Sequence, residues 1–396
     1  MDHQPISQAM AYGARQDALF GGLFCVLLIA VALYAGAVPQ GNRRWWALLG
    51  LLALLILAAY VVRSQVTRIL LLDAAAFVAV AMVWTRGTPR AVEAARTYLV
   101  LLVAAEVLLG TGLFLLDSGS AGAVTSPGKP AVALLAVGFG LKLALVPFYF
   151  WLPGVAEFAA PMTSALIISV VDMAAFTELI QVRELAPGIF TDHRMVWMGL
   201  ALLSMYGGAL MALAQRDLKR LLAFSTVDDL GYLVLGVTVG STVGLTGAQV
   251  GALSHSLVKV MLFGAVGIAE QRTGAPVTLD NSRGLAARFP ASSVVFIVGS
   301  LGMIGLPPLL GFAGRWRLYL AGAQYGGPAL VLAMVAASGM TLLYYARAIH
   351  RVWLGEPSGC LSGVSEPGLA ITVLGVLGVL ILLLGLFPAW LTGYFF

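Results

Sequence analysis

A lysine set inside an apolar helix is the first residue whose chemistry needs an account. Lys142 lies in the segment GFGLKLALVPFYFWLPGVAEFAAP (138–161), with Pro147 and Pro153 close behind it. A charged residue at the bilayer centre costs about 2.5–3.5 kcal/mol on insertion scales, so a chain keeps one where a partner or a water-filled path offsets that cost. Proline removes a backbone donor and breaks the helix, and in lipid the freed carbonyl must be met by protein or water. Lysine beside a helix broken at Pro147 and again at Pro153 therefore reads as an ion or proton site. A second segment, GSLGMIGLPPLLGFAGRWR (299–317), repeats the order: a glycine-rich helix, a break at Pro307 and Pro308, then an aromatic-containing stretch that holds Arg315.

The elements that must position these residues are membrane helices. Of the 396 residues, 60% are hydrophobic and 10% charged, with mean hydropathy +0.95. A soluble globule is normally about a quarter charged, so the composition excludes one. Apolar runs of about 20 residues mark spanning helices, and twelve are expected, near 18–38, 44–62, 67–85, 97–116, 130–150, 161–182, 195–215, 220–239, 246–268, 292–313, 327–347 and 368–393. The fold class is thus all-α and polytopic, with no soluble domain between spans. The two broken segments fall on the fifth and tenth spans. That odd spacing orients them oppositely, as in inverted-repeat transporters with discontinuous helices at the midplane.

Lys and Arg sort by side. Thirteen fall on the side of Arg43, Arg86, Arg216, Lys219, Arg283 and Arg351, eight on the other, and Lys142 and Lys259 stay inside. The positive-inside rule makes the richer side cytoplasmic and puts both termini outside, in a prokaryotic inner membrane. The first apolar run, ending in Ala35-Gly36-Ala37, reads as an uncleaved span.

Several classes drop out. Cys25 and Cys360 form no CxxC pair and no ligand spacing with histidine, so no metal, iron–sulfur or disulfide framework is encoded. No GxxxxGK[ST] and no GxGxxG after a strand occurs, so no nucleotide cofactor is expected. The excess of positive charge lies in short loops, where it sets topology; no nucleic-acid partner is expected. The chain encodes no active site of its own, so any redox or ATP-driven step belongs to another subunit.

The stretch LAQRDLKRLLAFSTVDDLGYLVLG (213–236), followed by GALSHSLVKVMLFGAVG (251–267), resembles the antiporter-like proton-channel subunits of respiratory NADH:quinone oxidoreductase, membrane-bound hydrogenases and Mrp-type Na+/H+ antiporters. PFYFWLP (147–153) and APMTSALI (160–167) are similar to that family's PFHxWLP and APTPVSALL, and GLPPLLGFAGR (305–315) to its GIPPLxGFFSK. The resemblance covers roughly residues 65–355. It implies two inverted five-helix bundles, 44–182 and 195–347, each with a broken helix. Residues 1–43 then carry the tail and first helix, and 348–396 a loop and the last helix. It further implies an N-terminus two helices shorter than usual, no long lateral helix after the last span, and a row of buried ionisable groups at the midplane.

Carried over residue by residue, Lys142 takes the lysine of the first broken helix, and Asp73 the place of the glutamate that pairs with it. His255 and Lys259, one turn apart on one helix face, take the HxxxK of the second bundle. Arg315 takes the terminal Lys or Glu of the second broken helix. Being one methylene shorter than glutamate, Asp73 is expected to pair loosely or through water, and Glu106 on the next helix is an alternative partner. Asp172 stands where the family often has a lysine. Glu178, six residues on, faces the other way and cannot share a path with it. Asp228 and Asp229 replace a serine and a frequent histidine; near a helix start, they would cap it or pair with the Arg216/Lys219/Arg220 cluster. Arginine stays protonated in proteins, so Arg315 steers protons without relaying them.

The expected proton path is Asp73, Glu106, Lys142, Asp172, His255, Lys259 and Arg315. The implied function is a proton-translocating (or Na+-translocating) membrane subunit, whose partners are other membrane subunits and a driving redox module. Two readings stay open beside it: a scaffold with a degenerate channel, and a cation/proton antiporter or inorganic-carbon uptake partner without redox chemistry.

Overall fold

The computed structural model describes residues 4–62, 64–119, 128–354 and 365–395; Cys360 lies outside them. Helices α1 (Gln4–Ala37), α2 (Arg43–Val61), α3 (Gln65–Trp84) and α4 (Pro89–Gly119) come first. Next are two half-length helices, α5 (Lys129–Lys142) and α6 (Trp151–Phe158), then α7 (Pro161–Leu185), which contains a π-turn at Ile167–Val171. Then follow α8 (Arg194–Ala214), α9 (Leu218–Val239), α10 (Thr242–Thr273), α11 (Pro290–Ile304), α12 (Leu310–Ala348) and α13 (Gly368–Leu386). Among the described residues no strand forms; one isolated bridge joins Asp217 and Thr278.

Ten of these helices are long and apolar enough to span a bilayer. Joined end to end, α5 and α6 make an eleventh crossing. The 39 residues of α12 extend roughly 58 Å at 1.5 Å per residue, about twice the hydrocarbon thickness. Gly327 (φ +62°), with Pro328 after it, divides them into two legs. The first leg completes the crossing that α11 begins, and the second is the next crossing. That makes the expected twelve, with two corrections of boundary. The tenth span, expected to end at 313, continues as the first leg of α12. Pro153, expected to break the helix, stands third in α6, in the first turn where its missing N–H costs no bond.

Helix ends follow their sequence signals. Asn42, Ser64, Asp217 and Ser241 cap the starts of α2, α3, α9 and α10 through their side chains. Gly240 and Gly274, both left-handed, close α9 and α10. At the centre stand α7, α9 and α10, almost wholly enclosed by their neighbours, while α2, α4, α12 and α13 keep most of their apolar surface outward. The polar residues of the interior are carried chiefly by the enclosed helices. Close approach of α8 to α9 depends on glycine: a Cβ on Gly208 would come within 2.4 Å of the Asp228 backbone nitrogen.

Candidate functional site

At the first break the chain leaves α5 just after Lys142. Ala144 takes φ +51°, a left-handed conformation that persists in a non-glycine residue only when its surroundings fix it. Two neighbours satisfy the opened backbone. Val146 N donates to Ser204 Oγ of α8 at 3.0 Å, and the Trp151 indole donates to Leu141 O at 2.9 Å. That indole lies flat on Tyr98 of α4, 4.2 Å between ring centres. Two of the backbone groups freed at the break thus find partners in neighbouring side chains, as a lipid interior demands.

Lys142, the last residue of α5, sits where the helix dipole favours a cation. Three acids from three helices meet its ammonium: Asp73 of α3 at 2.6 Å, Glu178 of α7 at 2.8 Å and Glu106 of α4 at 3.0 Å. Asp73 and Glu178 accept hydrogen bonds; Glu106 is close but not aligned for one. The Lys142 and Glu178 side chains are each 5% exposed. This corrects two sequence expectations. The Asp73 contact is tight, not loose. Glu178, set aside in favour of Asp172, is the acid of α7 that reaches the lysine. Asp172 lies just after the π-turn, at the start of the segment that packs against α3 and α5, and its Oδ2 is buried without a partner. The burial cost of each carboxylate in its apolar run was the signal that one cation had several partners.

A second polar row follows the seam between α9 and α10. Lys259 is fully buried and donates to Leu222 O at 2.7 Å and to Ser225 Oγ at 2.5 Å. Tyr345 OH donates to the same serine at 3.1 Å. No carboxylate lies within 4.0 Å of Lys259 among the described residues, unlike Lys142. His255, one turn from Lys259, turns Nδ1 to Asp229 Oδ2 at 2.9 Å. Asp229 Oδ1 accepts from Arg315 at 2.8 Å. Arg315 also donates to Met303 O at 3.1 Å, meeting a carbonyl freed at the second break, and lies 3.6 Å over the Tyr232 ring.

Asp228 and Asp229 are therefore not caps. They stand mid-helix in α9, whose start Asp217 caps, and Arg216, Lys219 and Arg220 pair with Asp280, Glu270 and Glu157 instead. His255 Nε2, Ser254 Oγ and Arg315 Nη1 have no hydrogen-bond partner, and all three residues line a cavity of about 20 Å³. One water needs ~10–15 Å³, so the cavity has room to link them.

The same seam reaches one membrane face. Lys219, six residues before Ser225 on α9, pairs with Glu270 at 3.1 Å, and both side chains are largely buried. Beside them is a cavity of about 420 Å³, lined in part by Arg86, Glu157, Lys219 and Glu270. Lys259 and Glu270, eleven residues apart, share one face of α10. His255, one turn from Lys259, lies on that side of α10 as well.

The family model described as "NADH:quinone oxidoreductase/Mrp antiporter, TM" matches residues 67–341. NADH-quinone oxidoreductase subunit N of Desulforudis audaxviator is 33% identical over 378 residues, covering 89% of this chain and 73% of the relative. Subunit N 2 of Solidesulfovibrio magneticus is 33% identical over 417 residues, covering 97% and 88%. Among solved structures, a chain of the Mrp complex from Dietzia sp. superposes with TM-score 0.85 over 95% of this chain and 81% of that one, at 23% identity, a likeness of fold.

Proposed function

This chain belongs to the NADH:quinone oxidoreductase/Mrp antiporter family of membrane subunits, and from that premise we propose that it translocates protons as one subunit of a larger energy-converting complex. Its partners are other membrane subunits and, through them, a driving module that carries the redox chemistry. The proposed path uses Asp73, Glu106 and Glu178 around Lys142, then Asp172, then Lys259 and His255 with Asp229. Arg315 sets the field at the far end. The bundles 44–182 and 195–347 are taken as the two units of the path. Both chain termini are placed on the outer side, from the excess of Lys and Arg opposite.

The contrast between the two lysines supports this reading most strongly. Lys142 has three carboxylates within 3.0 Å, whereas Lys259 rests on a carbonyl and a hydroxyl. An opposite charge favours the ammonium, and burial without one favours the free amine. Two buried lysines in such opposite surroundings form a pair between which a proton can be handed when the acids move.

A scaffold reading draws on one observation, the fixed Arg315–Asp229 contact at the end of the row. The deciding experiment is Lys142→Ala and Lys259→Ala in the complex reconstituted in vesicles, with a pH-sensitive dye inside. Protons moved per turnover should fall in both variants. Unchanged pumping in both would remove the proton-path reading and leave the scaffold.

A further inference from the structure

Among the described residues, two buried carboxylates stand in no ion pair, Asp172 and Asp228. Asp172 already belongs to the proposed path. Asp228 does not, and its surroundings are the more elaborate. It is 1% exposed, in the middle of α9. Its Oδ2 accepts from Thr341 Oγ1 at 2.7 Å and from Tyr344 OH at 2.9 Å, both on the second leg of α12. Its Oδ1 is buried with no partner. An ionised carboxylate in that position would leave a charged oxygen unmet, which costs several kcal/mol in a dry interior. A carboxyl group holding a proton would not.

We infer that Asp228 is a proton-holding residue of this chain, one turn along α9 from the serine to which Lys259 donates, and that it rather than Arg315 ends the titratable row. This rests on the proton-translocation reading above. Arg315 is unsuited to the role because its guanidinium stays charged, and Asp229 is engaged on both oxygens, by His255 and Arg315. Asp228 has one oxygen held by two neutral hydroxyls and the other without a partner. Ser225, which accepts from Lys259, is three residues before Asp228, so the two are neighbours on one helix face. Tyr345 meets Ser225 and Tyr344 meets Asp228, with their rings 4.7 Å apart. One leg of α12 thereby lines both residues with hydroxyls. In the transfer, Lys259 loses one proton and becomes the amine, while Asp228 gains it as a new O–H bond on Oδ1. The charged and titratable groups around Asp228 are Asp229 and Tyr232 on its own helix, Tyr344 and Tyr345 on α12, Arg315 beyond Asp229, and Lys259 on α10.

Asp228→Asn is the informative change, because an amide oxygen still accepts from Thr341 and Tyr344 while the residue no longer exchanges a proton. In the reconstituted complex, Asp228→Asn should assemble with unchanged thermal stability and pump at least about tenfold more slowly, the scale of a lost proton-transfer group. Asp228→Glu should recover part of that loss. Infrared difference spectra should show a carboxylic C=O band that shifts in Tyr344→Phe and is missing in Asp228→Asn. If Asp228→Asn pumps like the wild type while Lys259→Ala does not, the inference is overturned and the broader reading stands. If both variants pump normally, the broader reading falls. Should Asp228→Asn fail to assemble, the Tyr344→Phe spectrum decides: an unshifted band overturns the inference.

Discussion

Arg315 Nη2 donates to Asp229 Oδ1 at 2.8 Å, fixing a buried ion pair between the second broken crossing and the middle of α9. Removing one partner of such a pair leaves an uncompensated charge, a loss of about 3–5 kcal/mol. Arg315→Met should therefore lower the melting temperature of the purified complex or its yield of assembled subunit. Adding Asp229→Asn to the same chain should restore most of the loss. An Arg315→Met variant as stable as the wild type would show that the pair does not hold the fold.

Around Lys142 the three acids are not equivalent. Glu178 is 5% exposed and hydrogen-bonded, whereas Glu106 is 20% exposed and unaligned. Glu178→Gln should reduce proton pumping more than Glu106→Gln, by about tenfold against a smaller change. Dye-monitored vesicle assays compare them directly, and the reverse order would reassign the partner.

Ser204 meets the Val146 N–H that the first break exposes. Ser204→Ala would bury that donor without an acceptor, at a cost of about 1–3 kcal/mol. Thermal unfolding should register the loss, and Ser204→Thr should avoid most of it. Indifference to Ser204→Ala would mean that another acceptor reaches Val146.

Gly208 and Gly199 lie on the same helix but in different spaces. A Cβ at Gly208 would strike the α9 backbone at 2.4 Å, while one at Gly199 would meet nothing within 4 Å. Gly208→Ala should destabilise by about 1–3 kcal/mol through overpacking. Gly199→Ala should be neutral or stabilising by up to ~1 kcal/mol, because alanine loses less backbone freedom in a helix. Paired thermal melts test both, and equal effects would argue against the tight α8–α9 seam.

Much of this protein is legible in the sequence alone. Apolar run lengths fixed the all-α membrane class and the twelve crossings, because lipid admits no unpaired backbone. The cost of a charge in lipid singled out Lys142 and Lys259, and the motifs around Pro147 and Pro307 located the two breaks. The partners were not legible in the same way. Periodicity reports which face of its own helix a residue occupies, and it is silent on which other helix comes to meet that face. Glu178 reaches Lys142 across 36 residues, His255 turns to Asp229 across 26, and Thr341 and Tyr344 reach Asp228 across more than a hundred. Such contacts depend on how α7, α9, α10 and α12 pack together, at places where a glycine such as Gly208 lets two backbones touch. The residue types that could carry charge were written in the chain; only the packing decided which of them meet.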